Sequence, residues 1–175
     1  MSLRSNANKT EQLVMTALMM GLILVGTIIL RIPIPFTQGY VHLGDAMIYS
    51  GVLLLGKKNG TAAAALGSTM ADILGGFAFW APWTLVIKAA MAYTTGLIVE
   101  RASAHEGRRS HLVTVMGMTA GGLIMTAGYF IAEGIMYGNW PAAALGIPWN
   151  IGQFAVGIVI SISISAAVRV ARDAA

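Results

Sequence analysis

No cysteine occurs among the 175 residues, which excludes disulfides, thiolate nucleophiles and cysteine-ligated metals and leaves the redox compartment unmarked. Charge is scarce as well: Asp, Glu, Lys and Arg make up 10% of the chain against 57% hydrophobic residues, and the mean hydropathy is +0.73. So apolar a composition is foreign to soluble domains and places the protein in a bilayer. The signatures of ATP and acyl hydrolysis are missing too. Gly56-Lys57-Lys58 lacks the glycine spacing and the hydroxyl of a phosphate-binding loop, and no Gly-x-Ser-x-Gly is present. His42, His105 and His111 form no helical pair and fall on different membrane faces, so no metal site is expected. An intramembrane enzyme therefore finds neither a nucleophile–base pair nor a metal set here. A stand-alone proton-coupled carrier could use Asp45, Asp72 and Lys88 as a relay, but no inverted repeat accompanies them.

What the chain does have is six apolar segments, at about Glu11–Arg31, Leu43–Leu55, Thr61–Leu74, Pro82–Val99, Leu112–Ile135 and Pro148–Val170. They predict an all-α polytopic membrane protein, a single domain over 1–175 with six transmembrane helices. The N-terminus is polar and no small-residue cleavage site follows the first run, which reads as a retained helix. Ile32 to Tyr40 carries two prolines and cannot be a regular helix. The net charge of +4 and pI near 9.7 are a topology signal, not a nucleic-acid footprint. Nine of the eleven basic residues, all but Arg31 and Lys88, fall on one side of a six-helix threading, so that side and both termini are expected to be cytoplasmic.

The stretch from Asp72 to Lys88 organises the rest. An acid ends one apolar segment, glycines and Trp80, Pro82, Trp83 and Thr84 follow, and a lysine sits inside the next segment. Charges at such depth normally face protein or a watery cavity. Counted from the basic turns, Asp45, Asp72 and Lys88 all lie ~18–21 Å above the cytoplasmic boundary, whereas Glu133, Asn150 and Gln153 come out at ~24–32 Å. The expected picture is an outward cavity with a polar floor and a loop-built roof. Asp72 and Lys88 are expected to pair, which leaves a site of little net charge for a neutral, flat ring.

Each candidate has a plainer alternative. Asp72 and Lys88 can be a structural pair beneath an interfacial aromatic belt. Asp45 can cap the second segment or touch ligand. His42 can bond a ligand or a loop carbonyl. Tyr137 to Asn150 reads as a loop whose Trp140 and Trp149 either form a belt or join Trp80 and Trp83 around a heteroaromatic ligand, with Asn150 and Gln153 reading its donors and acceptors. Phe36 to Tyr40 reads as a mobile lid. Ala17-x-x-x-Gly21 and Gly117-x-x-x-Gly121 are faces for close helix approach.

The six segments, the Pro-bearing first outer loop, His42-Leu-Gly-Asp45, Ala71-Asp72-Ile-Leu-Gly75 and Pro82-x-Thr84-x-x-x-Lys88 resemble the S components of energy-coupling-factor (ECF) transporters, within the branch of hydroxymethylpyrimidine, pyridoxine and riboflavin candidates. The resemblance covers nearly the whole chain. It implies a vitamin-capture subunit in the plasma membrane of a prokaryote, with a site near the outer face closed by the first loop. It also implies partners: a transmembrane coupling subunit and two ABC ATPases, which would carry ATP and Mg, with no cofactor in this chain. Its small-residue motif maps to Ala17 and Gly21, glycine replacing the usual second alanine. Substrate-binding residues are expected among Phe36, Tyr40, His42, Asp45, Asp72, Trp80, Trp83, Thr84, Lys88, Glu133, Tyr137, Trp140, Asn150 and Gln153.

Overall fold

Asn8 starts the first helix by a reciprocal cap. Its side chain accepts the Glu11 N–H at 2.9 Å while Glu11 accepts the Asn8 N–H at 3.0 Å, so two orphan donors of the first turn are satisfied. In the computed structural model, which describes residues 8–29, 31–33, 40–106 and 111–173, the chain then forms α1 (Lys9–Ile29), β1 (Arg31–Pro33), β2 (Tyr40–His42), α2 (Gly44–Leu74), α3 (Ala81–Glu106), α4 (His111–Tyr137) and α5 (Trp140–Asp173). The fold is all-α apart from the antiparallel β1–β2 hairpin, in which Ile32 faces Val41. Four helices among the described residues, α1, α3, α4 and α5, are long and apolar enough to cross a membrane.

The expected count of six helices is corrected to five among the described residues. The second and third segments belong to one element, α2, whose backbone leaves helical geometry at Gly56 (φ 79°, ψ 175°). The chain turns back there. A Cβ on Gly60 would lie 2.7 Å from Val52 Cα, whereas a straight helix would separate these residues by about 12 Å. The two ends of α2 accordingly meet the top of α1 and the strand that follows it: Gly44 lies against Thr27 of α1, and Gly75 against Arg31 of β1. At the bend, Glu100 of α3 accepts the Lys57 N–H at 2.8 Å and pairs with its ammonium at 3.7 Å.

Residues 137–150, read from sequence as a loop, are mostly helix. Asn139 caps α5 by accepting the Ala142 N–H at 3.0 Å, and Pro141 sits in the first turn, where its missing N–H costs little. Pro148 lies inside α5, so the Ala144 carbonyl loses its helical donor. The reading of Pro82 in the first turn of its helix agrees with α3 beginning at Ala81.

Helix packing separates the two small-residue motifs. Gly117 and Gly121 lie against α3, where a Cβ on Gly121 would come within 2.6 Å of the Met91 carbonyl. A Cβ on Gly21 would meet nothing within 4 Å. Helix α1 buries one stripe, Met19, Ile23 and Thr27, at a spacing of four, and leaves Leu13, Leu18, Leu22 and Val25 exposed.

Candidate functional site

A cavity continuous with solvent opens where the tops of α1, α2, α3, α4 and α5 meet the β1–β2 hairpin. The ends of these elements position its wall. At the end of α2, Gly76 takes a positive φ of 84°, Phe77 N–H reaches the Asp72 carbonyl at 2.7 Å, and Gly76 N–H reaches that of Ile73 at 3.4 Å. This Schellman closure holds Asp72 three places before the cap, with its side chain on the cavity. Arg31 secures the same corner, since its guanidinium donates to the carbonyls of Thr27, Ala71 and Gly75 at 3.3, 3.1 and 3.2 Å and lies over the rings of Tyr40 and Phe77. A cation on the last carbonyls of a helix is favoured by the dipole.

Of the residues expected at the site, Tyr40, His42, Asp72, Trp80, Thr84, Glu133, Asn150 and Gln153 line the cavity. Asp45 and Lys88 lie beneath it, both fully buried. Here the expected pairing is corrected: the Lys88 ammonium bonds Asp45 Oδ1, not Asp72. Gln153 completes that group, donating from Nε2 to Asp45 Oδ2 at 2.7 Å and accepting the His42 N–H at 2.7 Å. The depth count set Gln153 higher than Asp45, yet the two touch. Asp45 lies in the first turn of α2, but the position before that helix makes no side-chain cap bond.

Asp72 instead accepts the Tyr40 hydroxyl at 2.7 Å on Oδ1. Its Oδ2 is buried without a partner, as is the hydroxyl of Ser68, one turn earlier on the same face. Burial and the adjacent Asp72 charge push the Tyr40 phenol up, so its O–H stays a donor. Burial and the nearby Lys88 ammonium hold the His42 imidazole down at about 3, so it is neutral; its Nδ1 accepts the Gly44 N–H at 3.0 Å.

The four tryptophans do not converge. Trp80 lines the cavity, 6.0 Å from the Tyr129 ring and 6.1 Å from that of Tyr137. Trp83 packs against the core, Trp140 lies on Phe130 at 5.4 Å, and Trp149 lines a separate apolar groove with Ile32 and Val41. Phe36 lies outside the described residues, as does most of the expected lid. Three lining residues were missed: Thr27, Ser68 and Tyr129. A signal for two of them existed, since Ser68 precedes Asp72 and Tyr129 precedes Glu133 by four, one helical turn.

A family model described as the ECF-type riboflavin transporter S component matches residues 7–170. The chain belongs to that family. This S component is 30% identical over 162 residues to the thiamine precursor transporter HmpT of Lactococcus lactis, covering 92% of the present chain and 89% of HmpT. It is 38% identical over 137 residues, 78% of this chain and 86% of the other, to an uncharacterized protein of Pyrococcus woesei. A solved S component of a bacterial ECF transporter superposes with a TM-score of 0.75, covering 93% of this chain and 97% of that one at 18% identity, and so shares the fold. As an S component the protein is a membrane-embedded, substrate-binding transport subunit, not an enzyme.

Proposed function

We propose that this S component captures a small heteroaromatic vitamin precursor from outside the cell, a hydroxymethylpyrimidine or pyridoxine-type compound, and hands it to an ATP-driven module. The observation that carries the reading is the cavity wall. Asp72 and Ser68 line it, each with a buried polar atom, Oδ2 and Oγ, that has no partner, and a buried polar group left unsatisfied is costly until something bonds it. Trp80 and Tyr129 supply flat apolar surface beside them, and Asn150 offers an amide. The Lactococcus relative, a thiamine precursor transporter, supports the pyrimidine reading. Riboflavin is the second reading, favoured by the description of the matching family.

The rest of the machine follows the same reading. The exposed face of α1 around Ala17 and Gly21 receives the coupling subunit, and two ATPases supply ATP hydrolysis. The basic turns and both termini face the cytoplasm, as the charge bias requires. Phe36 to Tyr40 closes over bound ligand, and Tyr40, bonded to Asp72, is its inner end. The test has two parts: mass spectrometry of small molecules extracted from the purified protein, and uptake into proteoliposomes with and without the ATPase module. A pyrimidine or pyridoxine-type compound and strictly ATP-dependent uptake are expected. Uptake by the isolated chain would overturn the capture-subunit reading in favour of a stand-alone carrier.

A further inference from the structure

Strand β2 is tied to the helices at both ends, and the two ties differ in kind. At Tyr40 the tie lies on the cavity wall, where the hydroxyl donates to Asp72 Oδ1 at 2.7 Å. At His42 the strand's own backbone N–H donates to Gln153 Oε1 of α5 at 2.7 Å. The other end of that amide, Nε2, donates to Asp45 Oδ2 at 2.7 Å, and the Lys88 ammonium donates to Asp45 Oδ1. Asp45 and Lys88 are both fully buried, and neither lines the cavity. A relay of three side chains thus runs from the middle of the bundle to the backbone of the strand above it.

A side-chain amide has two unlike ends. The nitrogen only donates and the oxygen only accepts, so its orientation follows from its strongest partner. Here that partner is a carboxylate, which beside an ammonium has nothing to donate and takes Nε2. Oε1 is thereby turned to the His42 N–H. The opposite flip would set N–H against N–H at β2 and oxygen against carboxylate at Asp45. We propose that Asp45 and Lys88 are positioning residues for ligand capture: they touch no ligand, but by orienting the Gln153 amide they fix where β2, with Tyr40 and His42, stands on the cavity wall. The proposal rests on the reading of this cavity as the capture site and goes beyond it, since the effect runs through groups beneath the wall.

The experiment reads strand position and ligand affinity separately, on the full chain in detergent. The chain has no cysteine, so spin labels attach only at introduced Val41→Cys on β2 and Leu112→Cys at the start of α4, and pulsed electron resonance gives their separation. Two changes break the relay: Gln153→Met, and Lys88→Met together with Asp45→Asn. A third re-forms it. Gln153→Glu with Asp45→Asn exchanges the amide and the carboxylate, so donors and acceptors match again from Lys88 to the His42 N–H. Gly117→Leu is the comparison, because a Cβ there already meets the Thr95 carbonyl at 3.2 Å and strains the α3–α4 contact instead. Both breaking variants are expected to shift or broaden the separation and to weaken binding of 4-amino-5-hydroxymethyl-2-methylpyrimidine at least ~10-fold in calorimetric titration. The exchanged pair should return the separation to that of the unmutated chain. Gly117→Leu should lower the melting temperature and leave the separation alone. The proposal is overturned by an unmoved strand in whichever breaking variant folds, by a strand that the exchanged pair leaves displaced, or by a displaced strand with unaltered affinity. Separations that follow the expected pattern in a chain that binds no pyrimidine even unmutated uphold the positioning and sink the pyrimidine reading instead.

Discussion

Lys88 is buried completely in the bundle, and its stability there depends on Asp45. Removing one member of a buried ion pair leaves the other charge stranded, at about 3–5 kcal/mol. Lys88→Met should therefore lower the unfolding temperature in detergent sharply, and Lys88→Met with Asp45→Asn should recover part of the loss. Lys88→Met with Asp72→Asn should come much closer to additivity, since Asp72 bonds Tyr40 instead. Recovery in the Asp72 double variant and none in the Asp45 one would reverse the assignment. His42 gives a pH signature. Its folded value, about 3, lies below the ordinary 6.5, so the unfolded chain binds the proton more readily. Its neutral form is compatible with full stability above pH 6.5, and that stability is lost as the pH falls from 6.5 towards 3. His42→Asn keeps an acceptor for the Gly44 N–H and should flatten the melting temperature across that window, read by thermal unfolding between pH 7.5 and 4.5. An unchanged acid slope would assign it to other groups.

At the scale of elements, the reversal of α2 depends on one backbone conformation. Gly56 has φ 79° and ψ 175°, a region open essentially to glycine, and a side chain there costs on the order of 1–3 kcal/mol. Gly56→Ala should destabilise the fold by about that much while Asn59→Ala, three residues on, should not; equal melting temperatures for the two would remove the special role of the bend. The contact of α3 and α4 depends on absent side chains. Gly121→Leu must push against the Met91 carbonyl and Thr95, with only 2.6 Å and 2.2 Å available to a Cβ, and should cost more than Gly21→Leu, which meets open space. Comparing the two variants by unfolding in detergent tests whether these superficially equal motifs differ as the packing says.

For the whole molecule, the exposed side of α1 matters most, because a helix with one apolar stripe buried and the other bare is built to meet either lipid or another helix. Ala17→Trp is expected to leave ligand affinity within a factor of ~2, at most ~0.4 kcal/mol, and to abolish recovery of the coupling subunit in a pull-down. Equal recovery by variant and wild type would place the partner elsewhere. Membership of the bilayer and the apolar segments were legible from hydropathy, since it is a local property of short stretches. Most lining residues were legible too, because an ionisable group deep in an apolar run has few places to face. Tertiary structure alone decided which acid meets Lys88. Asp45 and Asp72 stand at the same depth in the sequence count, and the choice between them follows from how α2 folds back at Gly56 and where Gln153 of α5 arrives. The helix count differs for the same reason, since α2 holds two helical stretches that run on without a break through the kink at Gly56, where a positive φ reverses the chain. The aromatic cluster failed because tryptophans close in sequence to prolines lie on different helix faces once Asn139 starts α5 early, and a face is set by angle around an axis, which spacing along the chain does not fix until the helix boundary is known.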